Sequence, residues 1–170
     1  MLYNNPMIKI KTIRYLFEAI LGLKLLILTK ILGLELSTKT FSWFFSSIGP
    51  RLKISNQAKE NLHIAFPGIR DSEIESIIFK MWKNIGMVAA EFFHLKTISE
   101  EKNGRIKVLG EEHIKEYKNS GVIFVSGHFA NWEIIPLILR NYRDKVGGIY
   151  RHSNNFFVNK WVVKQRYKNT

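Results

Sequence analysis

Residues 121–140, GVIFVSGHFANWEIIPLILR, constrain the fold more than any other stretch of the chain. Residues 122–125 are a short, apolar, β-branched run behind a glycine, the pattern of a buried strand. Ser126 and Gly127 then turn the chain, and His128 stands on the turn. A second apolar pattern, over residues 131–139, has helical spacing. The expectation is a strand, a turn that carries His128, and a helix with Glu133 in its first turn.

A loop after a buried strand can present a side chain at a cleft while its backbone is fixed on one side. His128 and Glu133 make an H-x4-E pair. On a continuous helix a step of five residues is about 500°, which would point the side chains about 140° apart. With His128 outside the helix that restriction lifts. The carboxylate could then accept from one imidazole nitrogen, fix the tautomer, and leave the other nitrogen to take a proton from a hydroxyl. This is the base and orienter of a triad without a protein nucleophile. A surface or capping pair is the plainer reading of a histidine beside a glutamate, and spacing does not separate the two.

Further residues carry a family resemblance. SGHFANWE, at 126–133, resembles the His-x4-Asp/Glu motif of the late acyltransferases of lipid A biosynthesis, the lauroyl and myristoyl transferases of Gram-negative inner membranes. NLHIAFP, at 61–67, is similar to the family's Asn-Leu…Ala-Phe-Pro segment. Tyr150-Arg151 followed by Asn155 resembles its Tyr-Arg-Pro…Asn stretch, with His152 where the family has proline, and Arg166 falls where the family carries an active-site arginine. The resemblance implies catalytic roles for His128 and Glu133, and substrate binding by Arg166, Arg151, Asn155 and Asn131. It implies an acyl carrier protein with a fatty acyl thioester as donor and an anionic glycolipid, a lipid A precursor, as acceptor. It implies no cofactor and no metal, and a place on the cytoplasmic face of the bacterial inner membrane. The resemblance covers the N-terminal half of the family pattern, and the sequence stops at Thr170. Two other readings follow: a truncated, inactive membrane-associated remnant, and an acyltransferase acting on another glycerolipid or glycolipid.

Charge is uneven. Residues 1–60 carry nine Lys/Arg against three Glu, net +6, and residues 140–170 carry eight against one Asp, net +7. The stretch between them is close to neutral, at −1, within a total of +12. Two basic ends suit anionic partners such as acidic phospholipid, a phosphorylated glycolipid or an acidic carrier protein. Nucleic acid is disfavoured because the aromatics cluster in apolar stretches, a poor arrangement for stacking on bases.

Residues 13–36 are mostly Leu, Ile, Phe and Gly, interrupted by Arg14, Glu18, Lys24, Lys30 and Glu35. No run of 18 uncharged residues exists there, so a clean spanning helix fails. Lys11, Arg14, Glu18, Lys24 and Glu35 fall within a sector about 140° wide, with Lys30 on the far side. That pattern suits a helix lying in the membrane interface, or one packed on the protein's own core. Phe41, Trp43, Phe44 and Phe45 add an aromatic cluster open to the same two readings. No small-residue cleavage site marks a signal peptide. The chain has no cysteine, so disulfides and thiolate chemistry are excluded.

Downstream, residues 55–66 read as a short helix. Ser72-x-x-Glu75 reads as a capping box opening a helix over 73–95, with His94 as a charge at its C-terminal end. Residues 105–109, 122–125 and 146–150 read as strands, and 111–118 and 155–166 as helices. Strands alternating with helices argue for an α/β fold, a mixed and largely parallel sheet with flanking helices that stops short. The expected division is 1–50, a membrane-associated helical segment, and 51–170, an α/β acyltransferase domain incomplete at its C-terminus. A zinc site using His128, Glu133 and one of His94, His113 or His152 lacks an H-E-x-x-H motif or a Cys pair. Phosphate-binding glycine loops and the G-x-S-x-G elbow are absent from the sequence.

Overall fold

A computed structural model describes residues 6–100, 104–117, 120–143 and 145–169. Residues 1–5 of the expected N-terminal segment, Lys118 of the expected helix 111–118, and Thr170 lie outside the described residues. Helix α1 covers Pro6–Ile48, followed by a 3-10 turn Gly49–Arg51, α2 Ile54–Ala65, α3 Asp71–Glu91 and a second 3-10 turn Phe92–His94. Then come α4 Leu95–Glu100, α5 Glu111–Glu116, α6 Ile134–Leu139 and α7 Phe156–Asn169. Gly33, at φ 70° and ψ 176°, breaks α1 into two helical stretches; only glycine takes that backbone without strain. Among the described residues no helix is long and apolar enough to cross a membrane.

The expected α/β fold is corrected: the described residues form no strand and no sheet, and the architecture is helical. Residues 105–109, 122–125 and 146–150 run without ladder partners. Ile123 is 91% exposed and Val125 90%, the opposite of a buried strand. The physical reason is that strand preference measures fit to a pleated, half-buried surface, not an intrinsic backbone state. A parallel strand needs neighbours along its edges, and no described segment supplies them. His128 therefore follows an open, solvated segment.

The chain forms two compact units. One comprises Thr29–His94 and Phe129–Asn131. Its core holds Phe41, Ile74, Ile78, Val88 and Ala90, all buried. Where α1 meets α3 the backbones touch: a Cβ on Gly86 would lie 2.4 Å from the Phe41 carbonyl oxygen. Ser42 also lies at this contact and is buried, as are Ser37 and Ser46 elsewhere on α1. Ser37 and Ser46 return their hydroxyls to the helix's own carbonyls at Leu34 and Trp43. Buried Ser55 donates to the Gly49 carbonyl at 2.7 Å and accepts from the Trp82 indole at 2.8 Å. The Trp82 ring lies over Gly49, where any Cβ would collide with it. The aromatic cluster divides here. Phe41 and Phe45 turn inward, the latter against Trp82 at 6.3 Å, while Trp43 and Phe44 are exposed.

Helix α3 opens at Asp71 rather than at Glu73. The glutamate that reaches back is Glu73, which accepts from the Arg70 backbone N–H at 3.3 Å and from its guanidinium at 3.0 Å. At the other end of α3, Asn131 donates to Glu91 at 2.6 Å and Asn84 donates to the Ala130 carbonyl at 3.4 Å. Asn84 and Glu91 are two helical turns apart and share a face. Between these two contacts Ala130 adopts φ 43°, a left-handed conformation that costs a non-glycine residue energy.

His94 does not stand as a helix-end charge. It is buried and donates through Nε2 to the Thr29 carbonyl, 3.1 Å away, while Lys30 donates to the Phe93 carbonyl at 2.9 Å. Burial, with the Lys30 ammonium beside it, pushes the His94 imidazole below its ordinary value.

The other unit comprises Met1–Leu28, Leu95–His128 and Trp132–Thr170. Leu95, Ile98, Leu137 and Leu139 form its small apolar core where α4 packs on α6. Pro136 falls in the first turn of α6, where a missing N–H costs nothing. Arg143 donates to the carbonyls of Ser120 and Ile114, at 3.0 and 3.3 Å. The Tyr142 hydroxyl donates to Glu111 at 2.9 Å, and this bond, ahead of Lys115, holds the Glu111 carboxyl below its ordinary value.

Asn155 is the polar centre of this unit. It is buried, and its Oδ1 accepts from the N–H groups of Phe157 and Val158, capping α7. Its Nδ2 donates to the Tyr15 carbonyl and to Glu18, both at 2.8 Å, which clasps α7 to α1.

Two stability measurements follow from these contacts. The folded protein keeps His94 neutral to lower pH than the unfolded chain does, so the unfolded state takes up the proton first and stability falls as pH drops through about 6.5. His94→Gln, which retains a donor, should flatten that part of the stability–pH curve; an unchanged slope in urea titrations would remove His94 as its source. Asn155→Ala should cost about 2 kcal/mol, from the lost cap and the stranded acceptors. Asn155→Asp keeps the cap oxygen but sets a carboxylate against Glu18, and it should remain destabilised. Wild-type denaturation midpoints in both variants would show that the clasp contributes nothing.

Candidate active site

His128 is exposed on the turn that follows residues 121–127. Glu133 immediately precedes α6, with near-helical φ −70° and ψ −13°, so its side chain leaves at the helix start. Helix α7 brings Arg166 to it. The guanidinium donates through Nε to Oε2 at 3.0 Å and through Nη2 to Oε1 at 2.6 Å, a forked pair that matches the carboxylate edge to edge. The Glu133 side chain is only 10% exposed and that of Arg166 33%. A charge so far removed from water requires its partner, and losing the arginine would strand the carboxylate.

Two aromatic side chains complete the arrangement. Tyr150 lies under the Arg166 guanidinium, 5.0 Å from the ring centre, a cation–π contact. Trp132 donates its indole N–H to Glu133 Oε1 at 3.2 Å and meets the His128 imidazole edge to face at 4.7 Å. His152, in the position where the resemblance expects proline, packs beside Tyr150 at 5.2 Å and accepts from the Asn159 amide at Nδ1, 3.1 Å away.

The residues expected from sequence are distributed as follows. Glu133 and Arg166 are brought together. His128 lies on Trp132, with no hydrogen bond to Glu133. Arg151 is exposed. Asn155 is buried and fully occupied by α7 and α1. Asn131 belongs to the other compact unit, where it holds Glu91. Among the described residues no three His, Cys, Asp or Glu side chains converge as metal ligands would. Trp132 and Tyr150 lie inside the motifs quoted from the sequence but were assigned no role there. Their only signal is adjacency, since Trp132 directly precedes Glu133 and Tyr150 opens the Tyr-Arg pair.

The arrangement offers an exposed imidazole, a shielded carboxylate bound to a guanidinium, and an aromatic side chain touching both the carboxylate and the imidazole. None of these groups is a nucleophile of the serine or cysteine type, and the constellation suits proton transfer more than covalent catalysis.

The family model described as bacterial lipid A biosynthesis acyltransferase matches residues 7–169. A protein named lipid A biosynthesis acyltransferase from Haemophilus influenzae (strain ATCC 51907 / DSM 11121 / KW20 / Rd) is 27% identical over 126 residues, covering 74% of this chain. The aligned part spans 40% of that relative's length. No solved structure matches the chain. The match along almost the whole sequence, together with the H-x4-E pair and Arg166 inside it, places the chain in the bacterial lipid A biosynthesis acyltransferase family.

Proposed function

We propose that the chain serves acyl transfer from an acyl carrier protein to a hydroxyl of a lipid A precursor, with His128 as general base and no acyl-enzyme. The observation that carries this reading is the family match over residues 7–169, which includes His128, Glu133 and Arg166. In the proposed step the acceptor hydroxyl gives its proton to the imidazole as its oxygen attacks the thioester carbonyl. The new ester C–O bond forms, the C–S bond breaks, and the departing thiolate of the carrier recovers the proton from the imidazolium. The Arg166 fork holds the Glu133 carboxylate in place.

Arg166 and Arg151 supply positive charge for phosphate or for the developing oxyanion, a task that guanidinium donors suit. Asn155 and Asn131 spend their amides on protein partners, Asn155 on the Tyr15 carbonyl and Glu18 and Asn131 on Glu91, so neither is assigned a direct substrate contact. The donor and the acceptor are both acidic, which agrees with the net charge of +12.

The same reading places the protein on the cytoplasmic face of the bacterial inner membrane through α1. Ile13, Leu16, Ile20, Leu23 and Ile27 are all exposed and follow one another at steps of three and four. They make one stripe about 80° wide, while Asn155 takes Glu18 on another side of the helix. An exposed apolar stripe beside basic residues suits an anionic bilayer surface.

Two experiments test these claims. Labelled acyl chain is supplied on acyl carrier protein to a lipid A precursor with membranes containing this chain. Transfer should occur with the wild type and fall at least a thousandfold in His128→Ala; equal rates would remove His128 from the mechanism, and no transfer in either would sink the catalytic reading for this chain. Separately, Leu16→Glu with Ile20→Glu should weaken binding to anionic phosphatidylglycerol vesicles more than tenfold, from the apolar surface withdrawn. Unchanged co-sedimentation would remove the stripe as the anchor.

A further inference from the structure

An imidazole exposed on a turn has no orientation of its own, yet a general base must meet its hydroxyl within hydrogen-bond reach. The Glu133 carboxylate is held by the Arg166 fork and makes no bond to His128 in this structure. Trp132 is the side chain that touches both. Its ring packs on the imidazole with centres 4.7 Å apart, and its Nε1–H donates to Glu133 Oε1 at 3.2 Å.

We propose that Trp132 is a positioning residue for the reaction, its ring setting the His128 imidazole while its indole N–H anchors that ring to the Glu133 carboxylate. The proposal rests on the acyl-transfer reading and goes beyond it by naming what holds the base. The contacts run in a chain: Tyr150 backs the Arg166 guanidinium at 5.0 Å, Arg166 grips Glu133, and Glu133 receives Trp132. Indole suits the task because one rigid side chain offers a flat apolar face and a single N–H at its edge. Phenylalanine would keep the face and lose the N–H; leucine would lose both.

The test uses the full 170-residue chain in membranes, comparing wild type, Trp132→Phe and Trp132→Leu in the acyl-transfer assay. Expected is a fall in kcat of about tenfold for Phe and about a hundredfold for Leu, the scale of one lost hydrogen bond and then of a misplaced base. KM for donor and acceptor should stay within about twofold, because neither substrate is bound by the indole. A wild-type kcat in Leu, or a loss carried by KM, overturns the proposal.

A second readout does not depend on activity. In detergent-solubilised protein with 13C-labelled histidine, the His128 ring signal, assigned by its loss in His128→Gln, should show an aromatic ring-current shift. The shift should be retained in Phe and lost in Leu. The Trp132 indole N–H signal, absent from Phe, should move when Glu133→Gln neutralises its acceptor. A His128 signal unchanged in Leu, or an indole signal unmoved in Glu133→Gln, overturns the placement even where no turnover is seen. Failure of the acyl-transfer reading looks different: neither wild type nor variants transfer acyl chain, while both spectroscopic shifts are present.

Discussion

A carboxylate with a tenth of its surface left in water needs a counter-charge, and for Glu133 it comes from 33 residues further along the chain. The Arg166 fork therefore fixes more than one side chain. Helix α7, FFVNKWVVKQRYKN, has no single apolar face, so hydrophobic burial does not define its seat. Its position is set by polar contacts near its two ends. Asn155 caps its first turn and clasps α1, and Arg166 grips Glu133 at the start of α6. Such contacts are directional, and each leaves an expensive unpaired group behind when its partner is removed. A helix held this way is positioned by directional contacts at both ends, and it brings Arg166 to Glu133.

The unit around α3 solves a different problem with smaller residues. Gly86 lets α3 reach the α1 backbone at Phe41, and Gly49 accepts the face of Trp82. Buried hydroxyls in this unit are satisfied locally: Ser37 and Ser46 bond back to their own helix, and Ser55 bridges Gly49 and Trp82. His94 belongs to the same economy. A protonated imidazole would be costly there, whereas a neutral one donates to the Thr29 carbonyl near the break at Gly33. This explains why a residue that reads as a helix-end charge in sequence serves instead as a buried donor.

Helices were legible wherever their pattern was local. Residues 55–66, 73–95, 111–118, 131–139 and 155–166 each overlap a helix of the structure, with ends that coincide or are displaced by up to four residues. The displacement at α3 is instructive, because Ser72-x-x-Glu75 has the right letters while Glu73 makes the reciprocal bond to Arg70. Strands were not legible, for a reason that lies outside any one segment. Apolar β-branched runs say that burial would be favourable, but a ladder exists only if another segment offers its edge. The site divides along the same line. The resemblance assigns roles to His128, Glu133 and Arg166, but no local rule foretells that Arg166 closes on Glu133. Nor does one foretell that Asn155 reaches back across 137 residues to Glu18. Asn155 and Asn131 illustrate the converse: amides that read as substrate ligands are occupied by Glu18 and Glu91.

The spacing of H-x4-E gains a physical meaning from this arrangement. Five residues on one helix would turn acid and base about 140° apart, and the structure avoids this by keeping His128 on the turn and Glu133 at the start of α6. Escape from the helix has its own cost, since a turn residue loses the neighbours that would fix its rotamer. A bulky residue immediately before the glutamate restores one of them. At position 132 a side chain that points back along the turn can reach position 128, and an indole can do so without leaving its N–H unpaired, because the carboxylate of the next residue accepts it. Glu133 is thereby linked to His128 through the Trp132 side chain that it anchors, without direct contact with the imidazole.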